Sequence, residues 1–196
     1  MAAVVGIRHA TVENPDHLMY GRLDGFPLAA DGMAAARTLG EALRNSNIVA
    51  VDASPLTRAQ ETARALAEPR GLEVRTDARL IEWGGLARWF GRPWAEAMTD
   101  PELLAVYADP AAKGNDDPLD EAAGRVTAWA EEAADRHPDG VVLGVSHEAP
   151  LVAAYLAGRG GDWSAFRMLN IPHLGGVRLI PGPPEIVDPE ILVPSC

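Results

Sequence analysis

Two short apolar runs constrain this chain more than any other feature. Ala3-Val4-Val5-Gly6-Ile7 leads into Arg8-His9-Ala10-Thr11, and Val141-Val142-Leu143-Gly144-Val145 leads into Ser146-His147-Glu148. Each reads as a short buried strand that ends on a histidine. Further strand-like runs at 48–52, 72–76 and 176–180 alternate with helical patterns. That alternation is the signature of an α/β layered domain, and such sheets place ligand sites at the carboxyl ends of their strands.

The helices are marked by caps and periodicity. Asp31 can cap a helix running to about Asn45, with Met33, Ala36, Leu39 and Leu43 on its apolar face. Ser54 and Pro55 read as N-cap and first residue of a helix that runs to Ala67, stopped by Pro69 and Gly71. Another opens near Asp120 and runs to about Arg136 before Pro138, and a last one follows His147 and ends near Gly158. The segment 82–118 departs from this rhythm. It carries Trp83, Trp89 and Trp94, two or three short helical pieces and the breaker stretch Gly114-Asn115-Asp116-Asp117-Pro118, and reads as an insertion over the sheet edge. Prolines at 181, 183, 184, 189 and 194 make 181–196 an extended tail.

A chain of 196 residues with 47% hydrophobic residues fits one domain over 1–196. No apolar run is long enough to cross a bilayer, and the start lacks the basic flank and cleavage site of a signal peptide. The formal charge of −11 argues against nucleic acid or an anionic membrane as partner. The one cysteine, Cys196, excludes an internal disulfide and leaves no cysteine metal site, so a reducing cytoplasm is the natural setting. No metal or cofactor is expected.

Two histidines at strand ends, with Arg8 and Arg58 able to converge on them, describe a site for a phosphoryl group. A neutral imidazole at His9 can attack phosphorus, while guanidinium forks hold the equatorial oxygens. Arg58 lies near a helix start, an end that already favours anions. His147 is placed to donate to the same oxygens, and Thr11 and Asn14 can add neutral hydrogen bonds. Arg22, Tyr20, His17, Arg88 and His173 are polar groups in loops that can reach a substrate's distal end, with Arg22 placed among the substrate-binding residues.

Arg8-His9-x-Thr11-x-x-Asn14, Ser54-Pro-Leu-x-Arg58-Ala-x-x-Thr62-Ala, Leu80-x-Glu82 and Ser146-His147 fall in the order of the histidine phosphatase superfamily, the phosphoglycerate-mutase-like proteins, which the chain resembles from residue 4 to about 180. The resemblance implies a three-layer α/β/α sandwich with a mostly parallel central sheet. It also implies a phosphomonoester hydrolase that works through a phosphohistidine on a small phosphorylated metabolite, with His9, Glu82, His147, Arg8 and Arg58 catalytic. Glu82 takes the position of the proton donor in the mutase branch, and Glu148 stands where the acid-phosphatase branch carries its donor. Two other readings stay open: mutase-type phosphoryl transfer, for which the chain is short, and a catalytically weakened phosphate-binding protein of the same fold. The second follows from Ala10 and Glu148, which replace the glycines that commonly follow the two histidines. The family often dimerises, which leaves room for a homodimer.

Overall fold

The computed structural model describes residues 2–111 and 117–188. Gly114, Asn115 and Asp116 of the breaker stretch, Cys196 and the tail beyond 188 lie outside them. The apolar runs form the centre of a six-stranded sheet. Its strands are β1 (Ala3–Arg8), β2 (Ile48–Ala53), β3 (Val74–Thr76), β4 (Val141–Ser146), β5 (Gly176–Ile180) and β6 (Glu185–Val187), in the order β3-β2-β4-β1-β5-β6. The first four are mutually parallel, while β5 runs antiparallel to β1 and β6 antiparallel to β5.

Helices cover both faces. On one lie α1 (Ala30–Ala42) and α2 (Thr57–Ala67), which bury Leu39, Leu43, Ala63 and Leu66 against Val5, Ile7, Val51 and Val145. The segment before the third long helix holds two short ones, α3 (Trp94–Ala97) and α4 (Pro101–Ala108). On the opposite face lie α5 (Leu119–Arg136) and α6 (Glu148–Ala157), where Val126, Trp129, Leu151 and Val152 meet Val4, Val142 and Leu179. This is the three-layer α/β/α architecture. Among the described residues no helix is long and apolar enough to cross a membrane.

Two glycines set how closely the second helical layer approaches. Gly6 and Gly144 are register partners on neighbouring strands. A Cβ on Gly6 would stand 2.4 Å from Leu151 Cδ2, and one on Gly144 2.2 Å from the Trp129 ring. The pair forms a shallow seat into which α5 and α6 each sink one large side chain. Trp129 is also anchored by its Nε1–H, which donates to buried Asp52 at 2.8 Å.

Four local expectations are corrected. Asp31 does not cap α1: Ala29 holds the cap position, and the Asp31 carboxylate accepts from the amide of its own neighbour Gly32 at 2.9 Å, inside the first turn. The helix stops at Ala42, short of Asn45, and Leu43–Ser46 tighten into turns. Ser54 and Pro55 do not start α2, because Leu56 is still extended and Thr57 is the first helical residue. Its capping acceptor comes from elsewhere in the chain, since Asp24 accepts from both the amide and the hydroxyl of Thr57. The stretch from Pro181 is not wholly irregular. Glu185–Val187 pairs with β5 as an edge strand, a place that proline-rich neighbours permit.

Candidate active site

The register of the parallel strands builds the site. Arg8 pairs with Ser146 and Ala53 with Val145, so His9, Ser54 and His147 leave three adjacent strands at one sheet edge. After His9 the chain goes to α1 on one face, and after His147 to α6 on the other. The two exits diverge and open a crevice between β1 and β4. The imidazoles of His9 and His147 lie edge to face, with centroids 5.2 Å apart.

His9 is held in one tautomer. Its Nδ1–H donates to its neighbour's carbonyl, Ala10 O, at 2.8 Å, which leaves Nε2 with its lone pair free. Its backbone is pinned as well, since its amide donates to Ser146 O and its carbonyl accepts from His173 Nδ1 at 2.9 Å. Burial pushes the His9 imidazole well below the usual histidine range, and the cations Arg58 and Arg8 add to the push. His147 is fully buried and lowered in the same way, first by burial and then by Arg58. Its Nε2 hydrogen-bonds Ser54 Oγ at 2.8 Å, so the serine expected to cap a helix instead orients the second histidine.

Glu82 approaches from the loop after Leu80. Burial pushes its carboxyl up to about 7 against the opposing pull of Arg58. Glu82 Oε2 stands 3.9 Å from His147 Nδ1, and both groups are driven towards their neutral forms. Its other oxygen accepts from the Trp83 amide at 2.7 Å. Arg22, expected to touch substrate, is committed elsewhere: it donates to the Glu82 carbonyl at 2.6 Å and to Asp117 at 2.7 Å. It braces the Glu82 loop.

The arginines come from two directions. Arg8 donates to Ile171 O at 2.6 Å and pairs with Glu148 at 3.0 Å. Arg58 is fully buried, reaches the carbonyls of Gly21 and Leu23, and lies over the Tyr20 ring at 4.7 Å. Gly21 can present that carbonyl because it sits at φ +40° with Phe90 packed where a Cβ would be. Three buried polar atoms here have no partner: Arg8 Nε, Arg58 Nε and His147 Nδ1. Each such orphan costs ~1–3 kcal/mol. The two arginines bear electrostatically on His9, and the His147 ring packs against it. A tetrahedral oxyanion is the species that such a cluster of donors satisfies.

A cavity of about 470 Å³ opens beside this cluster, lined at its reactive end by Arg8, His9, Glu82 and Glu148 and elsewhere by Trp83, Phe90, Trp94, Tyr107 and Arg167. Arg58 and His147, both fully buried, are not among its lining residues. Thr11 and Asn14 are not brought onto it, and the Asn14 amide closes a turn by bonding both the amide and the carbonyl of Leu18 at 3.0 Å. Arg88 points away and pairs with Glu102 at the surface, and His17 is no part of the lining. Arg167 went unread in the sequence because it belongs to no motif and follows no strand. Among the described residues no group of three His, Cys, Asp or Glu side chains is placed to hold a metal.

Comparison with known proteins agrees with this geometry. The model of the histidine phosphatase superfamily, branch 1, matches residues 4–182. Phosphoserine phosphatase 1 of Hydrogenobacter thermophilus is 32% identical over 186 residues, covering 85% of this chain and 80% of that protein. An uncharacterised Mycobacterium tuberculosis protein is 40% identical over 159 residues, 78% of this chain and 77% of its own length. Among solved structures, the mycobacterial glucosyl-3-phosphoglycerate phosphatase superposes with a TM-score of 0.75 at 26% identity, over 90% of this chain and 88% of that one. The chain belongs to the histidine phosphatase superfamily, branch 1, and with that family goes its enzyme class, a histidine-dependent phosphatase.

Proposed function

We propose that this chain hydrolyses a small phosphomonoester in two displacements through a phosphohistidine on His9. The observation that carries the reading is the His9 tautomer: Nδ1–H is spent on Ala10 O, and the imidazole is held neutral by burial. Nε2 attacks phosphorus as the ester P–O bond breaks. Arg8, Arg58 and His147 donate to the equatorial oxygens, where charge accumulates in the transition state. Glu82, protonated near neutrality, passes its proton to the departing alkoxide. As a carboxylate it then takes a proton from water, whose oxygen attacks phosphorus as the N–P bond breaks, releasing phosphate and freeing the imidazole. Phosphatases of small phosphorylated metabolites among its relatives support that substrate class.

The Glu148 carboxylate on Arg8 favours a second reading, a phosphate-binding protein with weakened turnover. One experiment separates the two. Rapid acid-free quench with a labelled phosphomonoester should leave acid-labile phosphate on His9, and His9→Ala should abolish both the label and phosphate release while thermal unfolding stays near wild type. Turnover that survives in His9→Ala removes the mechanism. Running the same assay on phosphoglycerate tells hydrolysis from isomerisation.

A further inference from the structure

We propose that Arg167 is the specificity-determining residue of this cavity and that it binds a carboxylate carried on the leaving-group side of the substrate. The proposal rests on the phosphatase reading for the reacting end, and on separate observations for the far end. Arg167 lines the same cavity as Arg8, His9 and Glu82. Its guanidinium lies 3.4 Å from the Tyr107 ring centroid, with the Phe166 and Trp83 rings at 5.2 and 5.9 Å. Its Nε–H donates to Tyr107 O at 3.0 Å, which fixes the plane of the fork.

One arm of the fork is left without a partner. Arg167 Nη2 is buried without a hydrogen-bond partner, and among the described residues no Asp or Glu pairs with the side chain. Aromatic faces attract a cation but accept no in-plane N–H bond, so stacking leaves the donor edge unsatisfied. A permanent cation, desolvated and oriented on a cavity wall and held in no ion pair among the described residues, is built for an anion that arrives with the ligand. The charge of that anion follows from its surroundings. Glu148 bears on Arg167 as well as on Arg8, so a second phosphate dianion would meet a carboxylate with one guanidinium to offset it. A carboxylate carries a single charge and matches one fork.

The test uses two ligands that share a phosphate and a three-carbon chain. 3-Phosphoglycerate has a carboxylate where glycerol 3-phosphate has a hydroxymethyl group. Binding is measured by calorimetry on His9→Ala protein, so that turnover does not interfere. With Arg167 present, 3-phosphoglycerate should bind at least ~10-fold more tightly, as a charge-assisted hydrogen bond implies. In Arg167→Met the ratio should fall to near one, and in Arg167→Lys, which keeps the charge and the stem but loses the fork, it should lie between. Because each ratio is taken within one protein, a general loss of affinity cancels, and the lysine variant serves if the methionine variant does not fold. A ratio near one with Arg167 present, or one unchanged by both substitutions, overturns the proposal. Release of phosphate from an aryl phosphate by the unsubstituted protein is scored separately. Its absence would remove the phosphatase reading and leave the binding ratio to judge Arg167.

Discussion

In the proposed mechanism Glu82 and His9 place opposite protonation demands on one cavity, and burial acts in the required direction on both. Burial disfavours charge, so the carboxyl keeps its proton up to about pH 7 and the imidazole stays free of one. The pH dependence follows in sign. For an alkyl phosphate, kcat/KM should fall as pH rises through about 7, because the raised carboxyl loses the proton it must deliver. The limb set by His9 lies on the acid side, below the ordinary histidine range. Glu82→Gln should lower turnover of an alkyl phosphate by ~10²–10⁴-fold and flatten the alkaline limb, with a much smaller loss on an aryl phosphate whose leaving group needs no proton. Glu148→Gln should cost far less, since Glu148 is ion-paired to Arg8. The reverse ranking would transfer the acid role to Glu148. At this scale the sequence was legible wherever a strand end announced a side chain, as for Arg8, His9 and His147. It misled at Ser54, whose cap-like setting hid its bond to His147, and at Asn14 and Arg22, whose polar groups are consumed by the loops themselves. Arg167 gave no signal, because its meaning depends on the Trp83 and Tyr107 rings, brought from distant parts of the chain to join its neighbour Phe166.

Strands and long helices were read nearly in place because buried apolar runs and helical periodicity are strong local signals. The ends were read less well. Asp24, distant in sequence, caps α2, and no local pattern around Ser54-Pro55 could reveal that. The edge strand β6 was hidden by its prolines, although its pairing needs only three residues. Glycines inside elements show how the same residue has opposite uses. Gly144→Ala should destabilise the protein by ~1–3 kcal/mol, because the Trp129 ring must move to admit a methyl group. Gly124→Ala, on the exposed side of α5 with open space around it, should stabilise by ~0.5–1 kcal/mol through helix propensity alone. Denaturant midpoints of the two variants check the contrast. Equal shifts in one direction would mean that the glycine seat does not set the spacing between α5 and the sheet.

The whole molecule carries a formal charge of −11, yet the substrate proposed for its cavity is a dianion. The fold resolves this by location. The four parallel strands bring Arg8 and the loop ahead of Arg58 to one sheet edge, and Arg167 joins from the segment before β5; of the acidic residues, Glu82 and Glu148 line the cavity, the first with its carboxyl pushed up to about 7 and the second paired to Arg8. Guanidinium groups there can do what a divalent ion does in many phosphoryl-transfer sites, holding equatorial oxygens and neutralising developing charge. A metal would find poor company. Arg58 and Arg8 bear electrostatically on both His9 and His147, and among the described residues no trio of ligating side chains is assembled. Prolonged dialysis against EDTA should therefore leave kcat/KM for an alkyl phosphate within about twofold of the untreated enzyme, since the electrophilic role is filled by arginine. A loss beyond that range, reversed by adding back a single divalent ion, would show that the arginines position the phosphate for a metal, and the two-displacement scheme would need that ion at its centre.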